Sequence, residues 1–264
     1  MILNIKNEYD ELKKILLGSV REEYLNQQNE LIEILNKYKV EVYKTDFCED
    51  TKYQMFVRDP FVVIDDKVIL CNMKEDIRKK ELNTINQLLT EIDSSKVIKV
   101  DDDIYLEGGD IIIHNDVIFV GQNGGRTNDK GIDFLKDTFK NKYNIIPLNM
   151  INPDSYISWI HLDCLFNPIS NDTVILYPEG FDEKTLNLIN TFFPNLIAVN
   201  KKEQEELATN VISLGNNTIV MQNRHKRIIN ILKKRGFKVE ELYNYNSISE
   251  VGYSRCLTCP LERK

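Results

Sequence analysis

The sequence predicts an α+β fold: five ββαβ units arranged around a pseudo-five-fold axis, like the blades of a short propeller. Three observations predict it. Turns rich in Asn and Asp recur at positions 66, 115, 171 and 216, about 50 residues apart, and these residue types tolerate the positive φ that tight hairpins demand. Each turn lies between two short runs rich in Val and Ile, as hairpin strands require. Each hairpin is followed by a stretch with apolar residues at a 3–4 spacing and then by one more short strand, which reads as a helix returning the chain to the sheet.

The elements follow in order. The N-terminal unit reads as strand 1–5, a turn at Glu8-Tyr9-Asp10, strand 12–17, helix 22–37 and strand 40–43. The second has strands 61–64 and 67–70, a helix over 77–92 carrying Leu82, Ile85, Leu88 and Leu89, and strand 97–100. The third has strands 110–113 and 117–120, helix 131–139 and strand 145–148. The fourth has strands 162–168 and 173–177, helix 184–193 and strand 196–199. The fifth has strands 210–214 and 218–222, helix 225–235 ending at Gly236 as a C-terminal cap, and strand 239–242. No Pro/Gly/Ser-rich linker interrupts this order, so residues 1–264 read as one domain.

Composition narrows the function classes. Apolar residues at 42% and charged residues at 28% are globular values and exclude intrinsic disorder. The 34 Lys and Arg stand against 41 Asp and Glu, a net charge of −7. The densest basic points, Lys226-Arg227 and Lys233-Lys234-Arg235, share one helix and read as its wet face. Nucleic acid is therefore not an expected partner. No apolar run approaches the ~20 residues that cross a bilayer, and the first residues lack the pattern of a signal peptide. A cytoplasmic location and no membrane partner are expected. Five cysteines, an odd number, fit reduced thiols better than a disulfide framework.

The chemistry-bearing residues fall at one phase of the repeat. Asp59, Glu107, Asp163 and Asn210 each precede their hairpin turn by six to eight residues, so a five-fold arrangement gathers them at one end of the axis. Several carboxylates in one cavity call for a cationic ligand, and a planar guanidinium suits them. His161 and Asp163, at i and i+2 of a strand flanked by Trp159-Ile160 and Leu165-Phe166, share a face. The glycines of Glu107-Gly108-Gly109-Asp110 permit close backbone approach to a ligand. Taken alone, Arg58-Asp59-Pro60 reads as a surface turn, and His114 and His225 read as solvated surface residues. Cys256-Leu257-Thr258-Cys259 lacks the second pair or nearby His of a zinc site. Its position near the C-terminus argues against a redox motif, and one nucleophilic cysteine served by a distant His and carboxylates fits better. Cys48, Cys71 and Cys164 read as packing residues. The glycine-rich run from Gly121 to Thr127 has no phosphate-loop lysine, and Arg126 within it is suited to hold a substrate carboxylate.

Together these motifs resemble the guanidine-modifying (pentein) superfamily, which includes arginine deiminases, dimethylarginine dimethylaminohydrolases and amidinotransferases. The resemblance is carried by Phe56-Val57-Arg58-Asp59-Pro60, Leu106-Glu107-Gly108-Gly109-Asp110, Gly125-Arg126-Thr127-Asn128, His161-Leu162-Asp163 and Arg255-Cys256-Leu257-Thr258-Cys259-Pro260-Leu261, in that order. Where the family has a run of glycines before its nucleophile, this chain has Glu250-Val251-Gly252-Tyr253-Ser254. The resemblance implies that Cys256 is the nucleophile, His161 the general acid and base, and Glu107 the residue that orients it and binds the guanidinium. It implies that Asp59 and Asp163 grip the guanidinium, and that Arg126, with Arg78 as a looser match, binds the substrate carboxylate. It also implies a hydrolase of the arginine deiminase type, needing no metal and no cofactor, with a small guanidino compound as its ligand. Asp163 and Glu107 favour that branch over dimethylarginine hydrolysis and amidino transfer, which stay open beside a silent guanidine-binding module. A homo-oligomer is compatible with the sequence.

Overall fold

The computed structural model describes residues 1–151, 160–244 and 252–264. Trp159, and Glu250 and Val251 of the segment before Cys256, lie outside them. In chain order the elements are β1 (Leu12–Leu17), α1 (Leu25–Lys37), β2 (Glu41–Lys44), β3 (Phe61–Ile64), β4 (Lys67–Leu70), α2 (Asn86–Thr90) and β5 (Val97–Lys99). Then come β6 (Ile111–His114), β7 (Val117–Gln122), α3 (Asp129–Phe139), β8 (Asn144–Asn149), β9 (Phe166–Pro168), β10 (Thr173–Leu176), α4 (Glu183–Phe192) and β11 (Asn195–Ala198). The last are α5 (Lys201–Glu205), β12 (Ile212–Gly215), β13 (Thr218–Gln222), α6 (Lys226–Lys234), β14 (Lys238–Leu242) and β15 (Thr258–Arg263).

These strands form five three-stranded sheets, β15-β1-β2, β3-β4-β5, β6-β7-β8, β9-β10-β11 and β12-β13-β14. Each has one antiparallel pair and one parallel pair. This is the expected blade, five times over. The turn chemistry explains the hairpins: Asp65, Asn115, Asn216 and Asn217 all take positive φ, between 49° and 55°. The inner strands are buried on both faces, as in Phe61–Ile64 and Ile111–His114, so they read as continuous rather than alternating apolar runs. Helices start on side-chain caps: Asn128 accepts from Gly131 N in α3, and Asp182 from Thr185 N in α4, a contact worth about 1 kcal/mol at such positions. Ile228, Ile229 and Leu232 are the buried face of α6, and Gly236 closes it at φ +86°. Lys226, Lys233, Lys234 and Arg235 lie on its exposed side.

Four expectations are corrected. Residues 1–5 do not form the first hairpin strand. That slot beside β1 belongs to the C-terminal β15, paired antiparallel from Leu12–Arg263 to Leu17–Thr258, and Glu8-Tyr9-Asp10 is not a hairpin turn. The N-terminal segment instead bridges its neighbours: Asn4 N donates to Leu261 O, and Ile5 and Asp65 exchange backbone hydrogen bonds of 2.9 and 2.6 Å. Asp76–Ile85 winds as a 3-10 helix rather than the first turns of an α-helix. A three-residue period eclipses positions i and i+3 and so stacks buried Arg78 against buried Glu81. The strand expected from Leu162 starts at Phe166, because Leu162–Cys164 is a tight 3-10 turn; His161 and Asp163 therefore do not share a strand face. Finally, Arg58, Asp59, His114 and His225 are all buried. His114 packs with its ring 4.5 Å from that of Phe193 and bonds Tyr9 Oη at 3.0 Å, while burial and the nearby Arg224 guanidinium push His225 down to about 4.

Candidate active site

The residue just upstream of the first strand of every blade points to one end of the axis. These residues are Asp59 before β3, Glu107 before β6, Asp163 before β9, Asn210 before β12 and Cys256 before β15. All five are buried. A cavity of about 360 Å³ opens there, lined by Asp59, His161 and Cys256 at its floor and by Tyr53, Phe56, Ile77, Ile160 and Cys164 on its walls, with Glu75, Arg78 and Arg126 completing it. Its size falls within the ~300–1,000 Å³ of small-molecule sites.

The floor is a compact set of ionisable groups. His161 Nε2 lies 2.7 Å from Glu107 Oε2, and Nδ1 lies 3.6 Å from Asp59 Oδ1. Burial disfavours the imidazolium, but Asp59 and Glu107 outweigh it and lift the His161 pKa to about 10. Asp59 stays ionised despite its burial, because His161 and Arg78 hold its pKa below the usual carboxylate value. Its Oδ1 accepts no hydrogen bond from the described residues and is available to a ligand at the cavity floor. Cys256 Sγ receives Asn210 Nδ2 at 3.0 Å and lies 3.8 Å from Asp163 Oδ2. Burial, and next the Asp163 charge, push its thiol well above the ordinary value. Asp163 is itself raised by burial, against the pull of Arg255, whose Nε stands 3.3 Å from Asp163 Oδ2.

Local structure explains how these groups meet. Gly109 allows the chain to cross the floor: a Cβ there would stand 2.7 Å from both Asp59 Oδ1 and His161 Cγ. Asp110, raised by burial to about 7, accepts from Leu162 N at 3.0 Å and from Thr127 Oγ1 at 2.7 Å. It thereby ties the turn that follows His161 to the loop that carries Arg126.

The structure brings together all seven residues singled out from the sequence. Cys256, His161, Asp59, Arg78 and Arg126 line the cavity. Glu107 and Asp163 lie directly behind His161 and Cys256. Arg78 is anchored by four of its five N–H groups: Nη1 donates to Asp59 Oδ2 at 2.8 Å, Nε to Glu81, and Nη2 to Glu81 and to Phe56 O. Among the described residues Arg126 Nη1 is buried without a hydrogen-bond partner, 3.6 Å from Glu75 Oε1 and 3.8 Å from Glu107 Oε1. The sequence marks Asn210 only by its place in the repeat and assigns it no role; its Nδ2 reaches the sulfur, and its Oδ1 accepts from Arg255 N and Cys256 N. Sequence reading passes over Cys164, which lines the cavity rather than the core alone.

Five three-stranded blades, with a buried polar or thiol residue at the entrance of each, have the architecture of the guanidine-modifying pentein class. A family profile described as N,N dimethylarginine dimethylhydrolase, eukaryotic, matches residues 4–230. YkgA of Bacillus subtilis, itself uncharacterised, is 32% identical over 238 residues, covering 90% of this chain and 80% of YkgA. An arginine deiminase of Bacillus cytotoxicus is 23% identical, covering the whole of this chain and 73% of that enzyme. Among solved structures, SxtG, an amidinotransferase from Microseira wollei, superposes with a TM-score of 0.87 at 18% identity over 99% of this chain and 97% of its own, a likeness of fold. The chain belongs to the dimethylarginine dimethylhydrolase family of the pentein superfamily. Among the described residues no helix is long and apolar enough to cross a membrane.

Proposed function

We propose that the protein hydrolyses a guanidino compound by the arginine deiminase reaction, converting L-arginine to citrulline and ammonia through a thiouronium on Cys256. The observation that carries this reading is the cavity floor, where a buried thiol, a protonated imidazole and the carboxylates of Asp59, Glu107 and Asp163 meet, and where one carboxylate oxygen, Asp59 Oδ1, accepts no hydrogen bond from the described residues. A guanidinium supplies the positive charge and the planar donors that such a floor lacks.

In this reading Asp59 and Asp163 hold the guanidinium in plane beside the sulfur. Well-oriented reactants gain up to ~7–11 kcal/mol of barrier reduction. The bound cation offsets the carboxylates that keep Cys256 protonated, so the thiol releases its proton to solvent on binding. The thiolate attacks the guanidinium carbon. His161, a cation at neutral pH, gives its proton to the departing nitrogen, which leaves as ammonia. Neutral His161 then takes a proton from water. The hydroxide adds to the thiouronium carbon, the C–S bond breaks as the hydroxyl proton passes to the departing sulfur, and a ureido product is freed with the thiol restored. Glu107 orients the imidazole through both half-reactions. Asp163 favours unmethylated nitrogens, because a dimethylated one has no N–H to donate to it and would leave a buried carboxylate unpaired.

The test is a panel of L-arginine, dimethylarginine and guanidino analogues assayed for ammonia, dimethylamine and ureido product, with mass spectrometry of the protein. Ammonia from arginine and a trapped adduct on Cys256 are expected, both lost in Cys256→Ser. Dimethylamine from dimethylarginine alone would overturn the choice of substrate. A normal turnover by Cys256→Ser would overturn the covalent route. Dependence of product on an added amine acceptor would identify an amidinotransferase.

A further inference from the structure

We infer that Glu75 is the specificity-determining residue at the cavity mouth. Its carboxylate takes the α-ammonium of the substrate while Arg126 takes the α-carboxylate, so the site selects zwitterionic α-amino acids among guanidino compounds. The inference rests on the proposed hydrolysis of a guanidino compound and deepens it.

Glu75 lines the cavity, and its side chain is 52% exposed, at the boundary between the buried floor and solvent. Among the described residues its carboxylate accepts no hydrogen bond; its one charged neighbour is Arg126 Nη1 at 3.6 Å, beyond hydrogen-bond reach. That Nη1 is itself buried, with no hydrogen-bond partner among the described residues. An open anion and an open cation side by side complement the paired charges on the α-carbon of an amino acid, with each charge meeting its opposite. A simple counterion to Arg126 would instead close on the guanidinium in a two-pronged contact.

The pair is also held in place from below. Lys74, the preceding residue, donates its backbone N–H to Glu107 Oε1 at 3.0 Å, while its ammonium donates to Gly125 O at 2.6 Å. One contact ties the segment to the acid that orients His161, and the other ties it to the loop that carries Arg126. The distance between the charged mouth and the reacting floor is therefore built into the backbone, and preorganisation of this kind lowers the cost of binding. Glu75 also begins the 3-10 helix, with Arg78 N donating to Glu75 O at 2.9 Å, so its direction is set by the element that positions Arg78.

The experiment compares Glu75→Gln with the unaltered protein on L-arginine and on des-amino-arginine, which keeps the guanidine and the carboxylate but has no ammonium. The expected result is a KM for L-arginine raised roughly tenfold at nearly unchanged kcat, the mark of lost uniform binding. The KM for des-amino-arginine should be unchanged or lower. Equal changes for both compounds would reduce Glu75 to a support for Arg126 and overturn the inference, as would no change for either. Calorimetric titration of both compounds into Cys256→Ser, with and without Glu75→Gln, gives a readout that needs no turnover. Failure of Cys256→Ser to bind any guanidino compound would overturn the functional reading itself. Arginine binding indifferent to Glu75→Gln would overturn only the clamp.

Discussion

At the scale of single residues, the free site and the loaded site should titrate differently. In the free protein Cys256 is held as the thiol by burial and by Asp163, and His161 is held as the cation up to about 10. The profile of kcat/KM reports the free groups and that of kcat the bound complex. A cationic substrate lowers the thiol pKa, so the acid limb of kcat should lie at lower pH than the acid limb of kcat/KM. On the alkaline side, activity should fall as His161 loses its proton near pH 10. Superimposable acid limbs would show that the substrate charge does not reach the sulfur. Asn210 gives the complementary test. Truncation to Ala leaves the buried N–H groups of Arg255 and Cys256 without their acceptor, at about 1–3 kcal/mol each. It also removes the donor on the sulfur. Asn210→Ala should lower both the Tm and kcat, the latter roughly 10–100-fold, while Asn210→Asp should move the acid limb of kcat/KM to higher pH by adding a negative charge beside the thiol. The sequence hid this residue because an Asn has no chemistry of its own to advertise. Only its phase in the repeat, shared with Asp59, Glu107 and Asp163, marked it.

At the scale of elements, hairpins and helices were legible where one local rule governed them. The turns at Asp65, Asn115 and Asn216 adopt the φ their side chains favour, and α3, α4 and α6 bury the faces their spacing predicted. The reading failed where a long-range contact overrode the local pattern. Leu82, Ile85, Leu88 and Leu89 suggested one α-helix; Leu88 and Leu89 do lie in α2, but Asp76–Ile85 before them winds as 3-10 turns that carry the buried pair Arg78–Glu81 and the bond from Arg78 to Asp59. The turn at Leu162–Cys164 is likewise set by a distant residue, Asp110, which holds Leu162 N. The glycine before Asp110 carries the prediction that belongs here. The Cβ of a Gly109→Ala variant would collide with both Asp59 and the His161 ring. Overpacking of this sort costs typically ~1–3 kcal/mol, and here the displaced atoms are the acid and the imidazole of the floor. The variant should fold with a Tm lowered by several degrees, roughly as that cost implies, and should lose most of its kcat. Full activity from a folded Gly109→Ala protein would show that the floor tolerates displacement and that His161 is not held where the chemistry needs it.

At the scale of the whole molecule, the number of blades was legible from the period, but the way the ring closes was not. Periodicity assigns each blade to consecutive residues, whereas the first blade takes β15 from the opposite end of the chain. That closure puts Cys256 at the entrance of its blade like the other four residues, so the proposed nucleophile is delivered by the pairing of β15 with β1. That pairing is reinforced inside the axis. Glu8, from the N-terminal segment, holds Arg255 through Nη1 at 2.6 Å and Nη2 at 3.2 Å, and Arg255 reaches Asp163. Burial alone would raise the Glu8 carboxyl; Arg255 and Arg58 outweigh it and hold the pKa at about 2. Because the folded value is depressed, the stability contributed by Glu8 is complete above the unfolded pKa of about 4.5 and is lost as pH falls towards about 2. Glu8→Gln keeps the shape but leaves Arg255 buried with less opposing charge, and breaking one side of a buried pair costs about 3–5 kcal/mol. The variant should therefore melt well below the parent at neutral pH, and the gap should narrow as the pH is lowered from 4.5 towards 2. It should also lose activity beyond its loss of stability, since Arg255 would then be shared differently with Asp163 beside the sulfur. Thermal unfolding across that pH range, with kcat measured well below the Tm of the variant, separates the two effects. A pH-independent gap would show that Glu8 serves as packing alone, and unaltered kcat would show that ring closure and chemistry are uncoupled.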